Sequence, residues 1–291
     1  MSTRKSLHIG LNCVDPKEYG GWDGALSGCI NDADAMKAIA EKRGFTAEQL
    51  IDGDATIGAV KKKLEQYAAE LDDGDFFFLT YSGHGGQVPD QNGDEEDGYD
   101  ETWCLYDTEL VDDSLYGALC SFKKGVRIFI MADSCHSETS SRGPAGPRIG
   151  NREERRAYVD AQAGPRSKRA PLEATMAEYE KNKDKYEAQK TWWTPTQMPT
   201  DAPAKVILIS GCKDEQTSMD GPGNGAFTYA FLQVWKKNGD DYRKAYRDLQ
   251  TDVRNAIENS EQEPCIFSYG VEVAKMRAQM PFSDEDAAVS V

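Results

Sequence analysis

The chain has 291 residues, 39% of them hydrophobic, which is enough for a substantial core in one large α/β domain or two small ones. Fifty acids against thirty-four bases leave a net charge of −16, which argues against nucleic acid or an anionic membrane as the main partner. No apolar run approaches the ~18 residues of a membrane span, His8, Asn12 and Asp15 interrupt any signal peptide, and seven scattered cysteines with no C-x-x-C pair suit a reducing, cytoplasmic setting.

Residues 5–13 read as the first strand and 15–28 as a Gly-rich polar loop. Ile30, Ala33, Met36, Ile39 and Ala40 then recur at helical spacing over 31–43, with Gly44 as the stop. A short strand is expected over 48–51. Thr56 is the N-cap of a helix over 57–71 whose apolar face is Val60, Leu64, Tyr67, Ala68 and Leu71. The strand core DFFFLTYSGHGGQ (75–87), an acidic loop (90–113), a short helix (113–122) and the strand RIFIMADSCHS (127–137) continue the alternation, so a mostly parallel sheet is expected. Residues 140–171 are rich in Gly, Pro, Ser and Arg without apolar period and read as an exposed, mobile linker. A charged surface helix over 172–190, a strand over 205–209, a loop over 221–225, helices over 227–235 and 242–257, and a last strand over 264–269 complete the chain.

The chemistry concentrates at two strand ends. Cys135 follows an apolar strand core, where ligands bind in open α/β sheets. Of three histidines, His8 lies inside a strand and His136 adjoins Cys135, so His84, bracketed by Gly83, Gly85 and Gly86, is the candidate base. Cys13, Cys104, Cys120, Cys212 and Cys265 sit among apolar neighbours and read as small core residues. A phosphatase would need arginine six residues past the cysteine, where the chain has Ser141, and no nucleotide-binding glycine pattern follows the first strand.

The His84-to-Cys135 interval is comparable to the ~50 residues seen in caspases. YSGHGGQ (81–87), ADSCHS (132–137), LSGCINDADAM (26–36), SGCKDEQTSMD (210–220) and QEPCI (262–266) together resemble the signature segments of metacaspases, caspase-like cysteine peptidases. The resemblance implies a caspase-like three-layer α/β/α sandwich with a mostly parallel central sheet: a large-subunit-like part (1–138), a basic linker with its surface helix (139–201), and a small-subunit-like part (202–291) completing the same sheet. It implies Cys135 as nucleophile, His84 as general base and acid, and the N–H groups of Gly85 and Cys135 as oxyanion hole. Cys29, Asp32, Ser82 and Asp133 would line an acidic pocket for Arg or Lys before the cut. The sign agrees with the residues themselves, since a buried carboxylate at Asp133 needs a cationic partner to stay charged.

Eleven carboxylates and no base lie between Asp90 and Asp113. They suit a hard cation such as calcium, although the EF-hand register fails at Glu95; the resemblance points to Asp100, Asp112 and Asp113 as ligands. Glu138 stands where the family usually has glycine. Arg142, Arg148, Arg152, Arg155, Arg156, Arg166, Lys168 and Arg169 make the linker a target for cleavage, by the enzyme itself or by an activating protease, in a monomeric zymogen. The competing expectation is a catalytically silent caspase-like module that binds calcium and a partner.

Overall fold

Six β-rich segments form one sheet: β1 (Arg4–Gly10), β2 (Thr46–Ile51), β3 (Phe76–Ser82), β7 (Arg127–Asp133), β9 (Lys205–Ser210) and β11 (Cys265–Tyr269), in the order β2-β1-β3-β7-β9-β11. All neighbours run parallel except β11, which is antiparallel to β9 at the edge. The computed structural model describes residues 2–90, 98–134, 166–192, 202–211, 218–221, 223–237, 242–257 and 262–284.

Every residue of β3 and β7 is buried because both sheet faces are covered. Alternate residues serve opposite faces. Phe77, Leu79, Tyr81, Ile128 and Ile130 pack under the helices α2 (Ile57–Glu70) and α3 (Asp112–Cys120). Phe76, Phe78, Phe129 and Met131 pack under α1 (Cys29–Lys42), α6 (Ala226–Lys237) and α7 (Tyr246–Ala256). The three-layer sandwich is therefore written in the period-2 pattern of the two central strands. Thr56 caps α2, its side chain accepting from the Ala59 N–H. His8 is an interior residue of β1, bonded to Thr80 and Ser6 and lowered to about pKa 3, chiefly by burial.

Three expectations are corrected. The acidic loop carries β5 (Tyr99–Cys104) and β6 (Glu109–Val111), which form an antiparallel sheet with β4 (Gly85–Pro89) just before it. The single surface helix is two, α4 (Leu172–Lys181) and α5 (Lys183–Trp192), and their inner face is polar and buried. Glu178 accepts from Thr108 and Tyr186, and Gln189 bonds the Val111 N–H and the Glu109 carbonyl, so the pair is bolted to the small sheet. The linker is not uniformly exposed: β8 (Arg166–Ser167) pairs antiparallel with β10 (Met219–Asp220), and the residues after it enter the protein.

The tail closes the second core. Beyond the short helix α8 (Val273–Arg277), Phe282 packs against Phe45, Phe76, Phe78, Phe129 and Trp235 with ring separations of 4.9 to 5.9 Å. Phe282→Ala is expected to destabilise the protein by about 3–5 kcal/mol, the range for truncating a buried phenylalanine. Urea unfolding measures this, and a loss below about 1 kcal/mol would mean that the tail is dispensable to the core.

Candidate active site

The parallel register builds the site. Ser82 pairs with Asp133 at the carboxyl ends of β3 and β7, and the candidate residues His84 and Cys135 each lie two positions beyond that pair. Cys135 and the neighbouring Glu138 fall outside the described residues. His84 sits in a tight turn: a Cβ on Gly83 would lie 2.6 Å from the Tyr81 hydroxyl, which donates to the His84 and Cys104 carbonyls.

The His84 ring is less idle in packing than its glycine neighbours suggest. It is buried, and Trp22 meets it edge-on at 4.7 Å between centroids. Its Nε2 lies 3.1 Å from the Gly24 carbonyl, which accepts only if Nε2 carries the proton. Nδ1 has no partner among the described residues. Burial lowers the imidazole to about pKa 4, against the Gly24 bond that raises it. At neutral pH the ring is thus neutral, and the Gly24 bond selects the Nε2–H tautomer, which leaves Nδ1 as the basic nitrogen a general base requires.

Asp32, Ser82 and Asp133 converge, and a lysine fills the space between them. The Lys168 Nζ donates to Asp32 Oδ2 at 3.2 Å and Ser82 Oγ at 2.9 Å, and lies 3.1 Å from Asp133 Oδ1. Relative exposure is 0% for Lys168, 1% for Asp32 and 2% for Asp133. Burial pulls the ammonium down, but Asp133, Cys29, Asp32 and Asp220 more than offset it and hold Lys168 well above its ordinary value. Cys29 lines the same region as a buried thiol pushed well up by burial.

Several pocket residues escaped the sequence reading. Ser218 donates to Asp133 Oδ1, and the Thr228 N–H and hydroxyl donate to its other oxygen. Asn224 and the Gly225 N–H donate to Asp32, which is therefore no solvated cap. A Cβ on Gly225 would come within 2.4 Å of both Asp133 Oδ2 and Lys168 Nζ, so only glycine leaves the pocket open. Asp220 accepts from the Ser27 and Gly28 N–H groups and so holds the turn that leads into α1, whose first N–H groups, Cys29 and Ile30, are taken by the Asn12 side-chain oxygen. Ser218, Asp220, Asn224, Gly225 and Thr228 lie in or just after the segment 210–220, whose motif character was visible although the role of each position was not.

The backbone of the lysine segment is held as well. The Lys168 N–H donates to Ser218 at 2.9 Å, its carbonyl accepts from the Gly85 N–H at 2.9 Å, and the Ala170 N–H donates to the Gly85 carbonyl at 2.8 Å. Among the other linker bases, Arg142, Arg148, Arg152, Arg155 and Arg156 lie outside the described residues, Arg166 is placed only by its backbone in β8, and Arg169 is half-buried. Asp100 is buried on β5, while Asp112 and the exposed Asp113 open α3. Among the described residues no three acid, cysteine or histidine side chains form a metal-binding group. No helix among them is long and apolar enough to cross a membrane.

A sheet with a histidine and a cysteine position at adjacent parallel strand ends, beside an acidic pocket, defines a caspase-type α/β sandwich. The caspase-domain family model matches residues 13–274, and the chain belongs to that family, one of cysteine-type peptidases. Protein GSU0716 from Geobacter sulfurreducens superimposes with a TM-score of 0.81 at 39% identity, over 97% of this chain and 99% of that one. Caspase-1 from Spodoptera frugiperda shares the fold at a TM-score of 0.52 and 14% identity, over 91% and 86%. Metacaspase-1A of Aspergillus fumigatus is 29% identical over 282 residues, covering 87% of this chain and 65% of that protein. The chain thus spans about 65% of the length of such relatives.

Burial raises Asp32 to about pKa 6 even though Lys168 lowers it, and Asp133 adds to the rise. With Lys168 withdrawn, the carboxyl would titrate higher still. Docking of Lys168 is then at full strength above that undocked value and is lost as pH falls through about 6. Hydrogen-exchange protection factors at Lys168 and Ala170 in a Cys135→Ala protein should drop across this window; constant protection from neutrality to pH 5 would contradict the linkage.

Proposed function

We propose that the chain is a cysteine endopeptidase that cuts after Lys or Arg and is restrained by its own linker until that linker is cleaved. The observation that carries this reading is Lys168, whose ammonium is buried between Asp32 and Asp133 while its carbonyl accepts from the Gly85 N–H. That is how a substrate residue before the cut would be held, with side chain in the acidic pocket and carbonyl at a preorganised donor. A small cavity lined in part by Met36, Thr80, Met131 and Phe227 adjoins the carboxylates.

In the proposed reaction the Cys135 thiol gives its proton to His84 Nδ1 and the sulfur attacks the carbonyl carbon. The Gly85 and Cys135 N–H groups take the developing oxyanion. The imidazolium returns the proton to the leaving amine, and water then hydrolyses the thioester. A buried neutral imidazole held in this tautomer at the strand end favours the peptidase over a silent binding module. On this reading the bond to be cut is Lys168–Arg169, after one of the eight linker bases. Mass spectrometry of the active protein should find a new N-terminus at Arg169, and Lys168→Gln should remove it. An active protein uncut at this bond would overturn the regulatory reading, and cleavage of library peptides chiefly after Asp would overturn the pocket.

Calcium stimulation belongs to the same proposal. Asp112 is pushed well above the carboxylate range, first by burial and then by Asp113, Glu101 and Asp100. Crowded acids of this kind fit a divalent cation, which Asp100, Asp112 and Asp113 would help to hold, relieving their repulsion. Calcium at roughly 10⁻⁴–10⁻³ M is expected to raise activity and to change tryptophan fluorescence through Trp103 on β5. Asp112→Ala with Asp113→Ala should remove both responses, and full activity in chelator would refute the cation's role.

A further inference from the structure

Past the bond at Lys168 the linker keeps following the cleft. Arg169 forms a parallel bridge with Gly85, and Ala170 donates its N–H to the Gly85 carbonyl, so the strand that supplies the oxyanion donor also grips the chain beyond the cut. Ala170 is 6% exposed and joins a small apolar cluster of Val14, Tyr19 and Cys104, with Trp22 packed against it. This cluster is separate from both layers of the core. It is built by the loop that also presents the Gly24 carbonyl to His84, and Trp22 stands between the cluster and the His84 ring.

We propose that Val14, Tyr19, Trp22 and Cys104 form a substrate subsite for the second residue after the cut, and that it selects small, uncharged side chains. The inference rests on the reading that residues 166–170 lie in the cleft as a substrate does. Its walls are fixed. Tyr19 and Trp22 meet edge-on at 6.0 Å, the Tyr19 hydroxyl donates to the Leu105 carbonyl, and the Asp15 and Val14 N–H groups bond Tyr106 and Asp23. A methyl group fills the space. A larger side chain would have to displace an aromatic wall, and a charged one would be desolvated without a partner. Specificity would then be read on both sides of the scissile bond, by charge before it and by size and polarity after it.

The test uses the full chain and internally quenched peptides carrying Lys before the cut, Arg after it, and Ala, Leu, Trp, Asp or Lys in the next position. The expected kcat/KM for Ala exceeds that for Trp, Asp or Lys by roughly 10-fold or more, the discrimination a small apolar pocket provides. Trp22→Ala removes one wall and should bring the Ala-to-Trp ratio close to unity. Because this is a ratio within one preparation, loss of correctly folded protein or of catalytic rate does not disguise it. Wild-type ratios that are flat within about 2-fold, or an Ala-to-Trp ratio unchanged in Trp22→Ala, would overturn the subsite. Lys coumarylamide peptides, which lack residues after the cut, separate the two readings. If they are cleaved while the peptide series is flat, only the subsite fails; if neither is cleaved, the Lys/Arg reading fails and takes the subsite with it.

Discussion

The structure depends on one buried charge arrangement, an ammonium shared by two carboxylates at the end of a parallel sheet. Taking each of these ions from water costs several kcal/mol, and their attraction offsets that only when the remaining hydrogen bonds are made. Here they are made. Asp133 takes donors from Ser218 and Thr228, Asp32 from Ser82, Asn224 and the Gly225 N–H, and the lysine spends its three N–H groups on Asp32, Ser82 and Asp133. Donors from β3, from the segments around residues 218–228 and from the linker thus converge on two carboxylates, and removing any one ion would leave the others buried without compensation.

That convergence follows from sheet register. Ser82 and Asp133 lie side by side, within reach of one ammonium, because two fully buried strands are paired in parallel and in phase over seven residues. The burial that keeps those strands in phase also excludes water from their polar ends. That exclusion holds His84 neutral, whereas Lys168 stays charged against it because Asp133, Cys29, Asp32 and Asp220 outweigh the burial.

The central strands were legible as short apolar runs that break off into polar, turn-forming residues, and His84 was found because only three histidines exist and one is bracketed by glycines. The acidic loop hid β5 and β6 because glycines and scattered carboxylates carry no strand period, even though their pairing is local, Gly85 with Trp103 and Trp103 with Leu110. Lys168 was counted among eight equivalent bases. Nothing local marks it, and what singles it out is the pair of acids at positions 32 and 133 that close on it only after folding. Gly225 was read as loop punctuation for the same reason, since its lack of a side chain matters only against Asp133 and Lys168.

On the proposed reading, restraint and recognition use the same groups, so their balance is one of effective concentration. A tethered strand meets its own cleft at roughly millimolar effective concentration or above, and α4 and α5 strengthen the tether by fixing the chain only a few residues past Lys168. Beneath them burial and then Glu178 raise the buried Glu109 well above its ordinary value, and burial raises Glu178 against the hydrogen bonds from Thr108 and Tyr186. A separate substrate must therefore outcompete a neighbour that never diffuses away. Cutting after Lys168 changes this without moving any pocket residue. The side before the cut becomes a chain end that, among the described residues, is held by β8 and the lysine itself, while the side after it stays bolted to the small sheet. The two halves of the former competitor then have different anchors, and the pocket is emptied by the half with the weaker one.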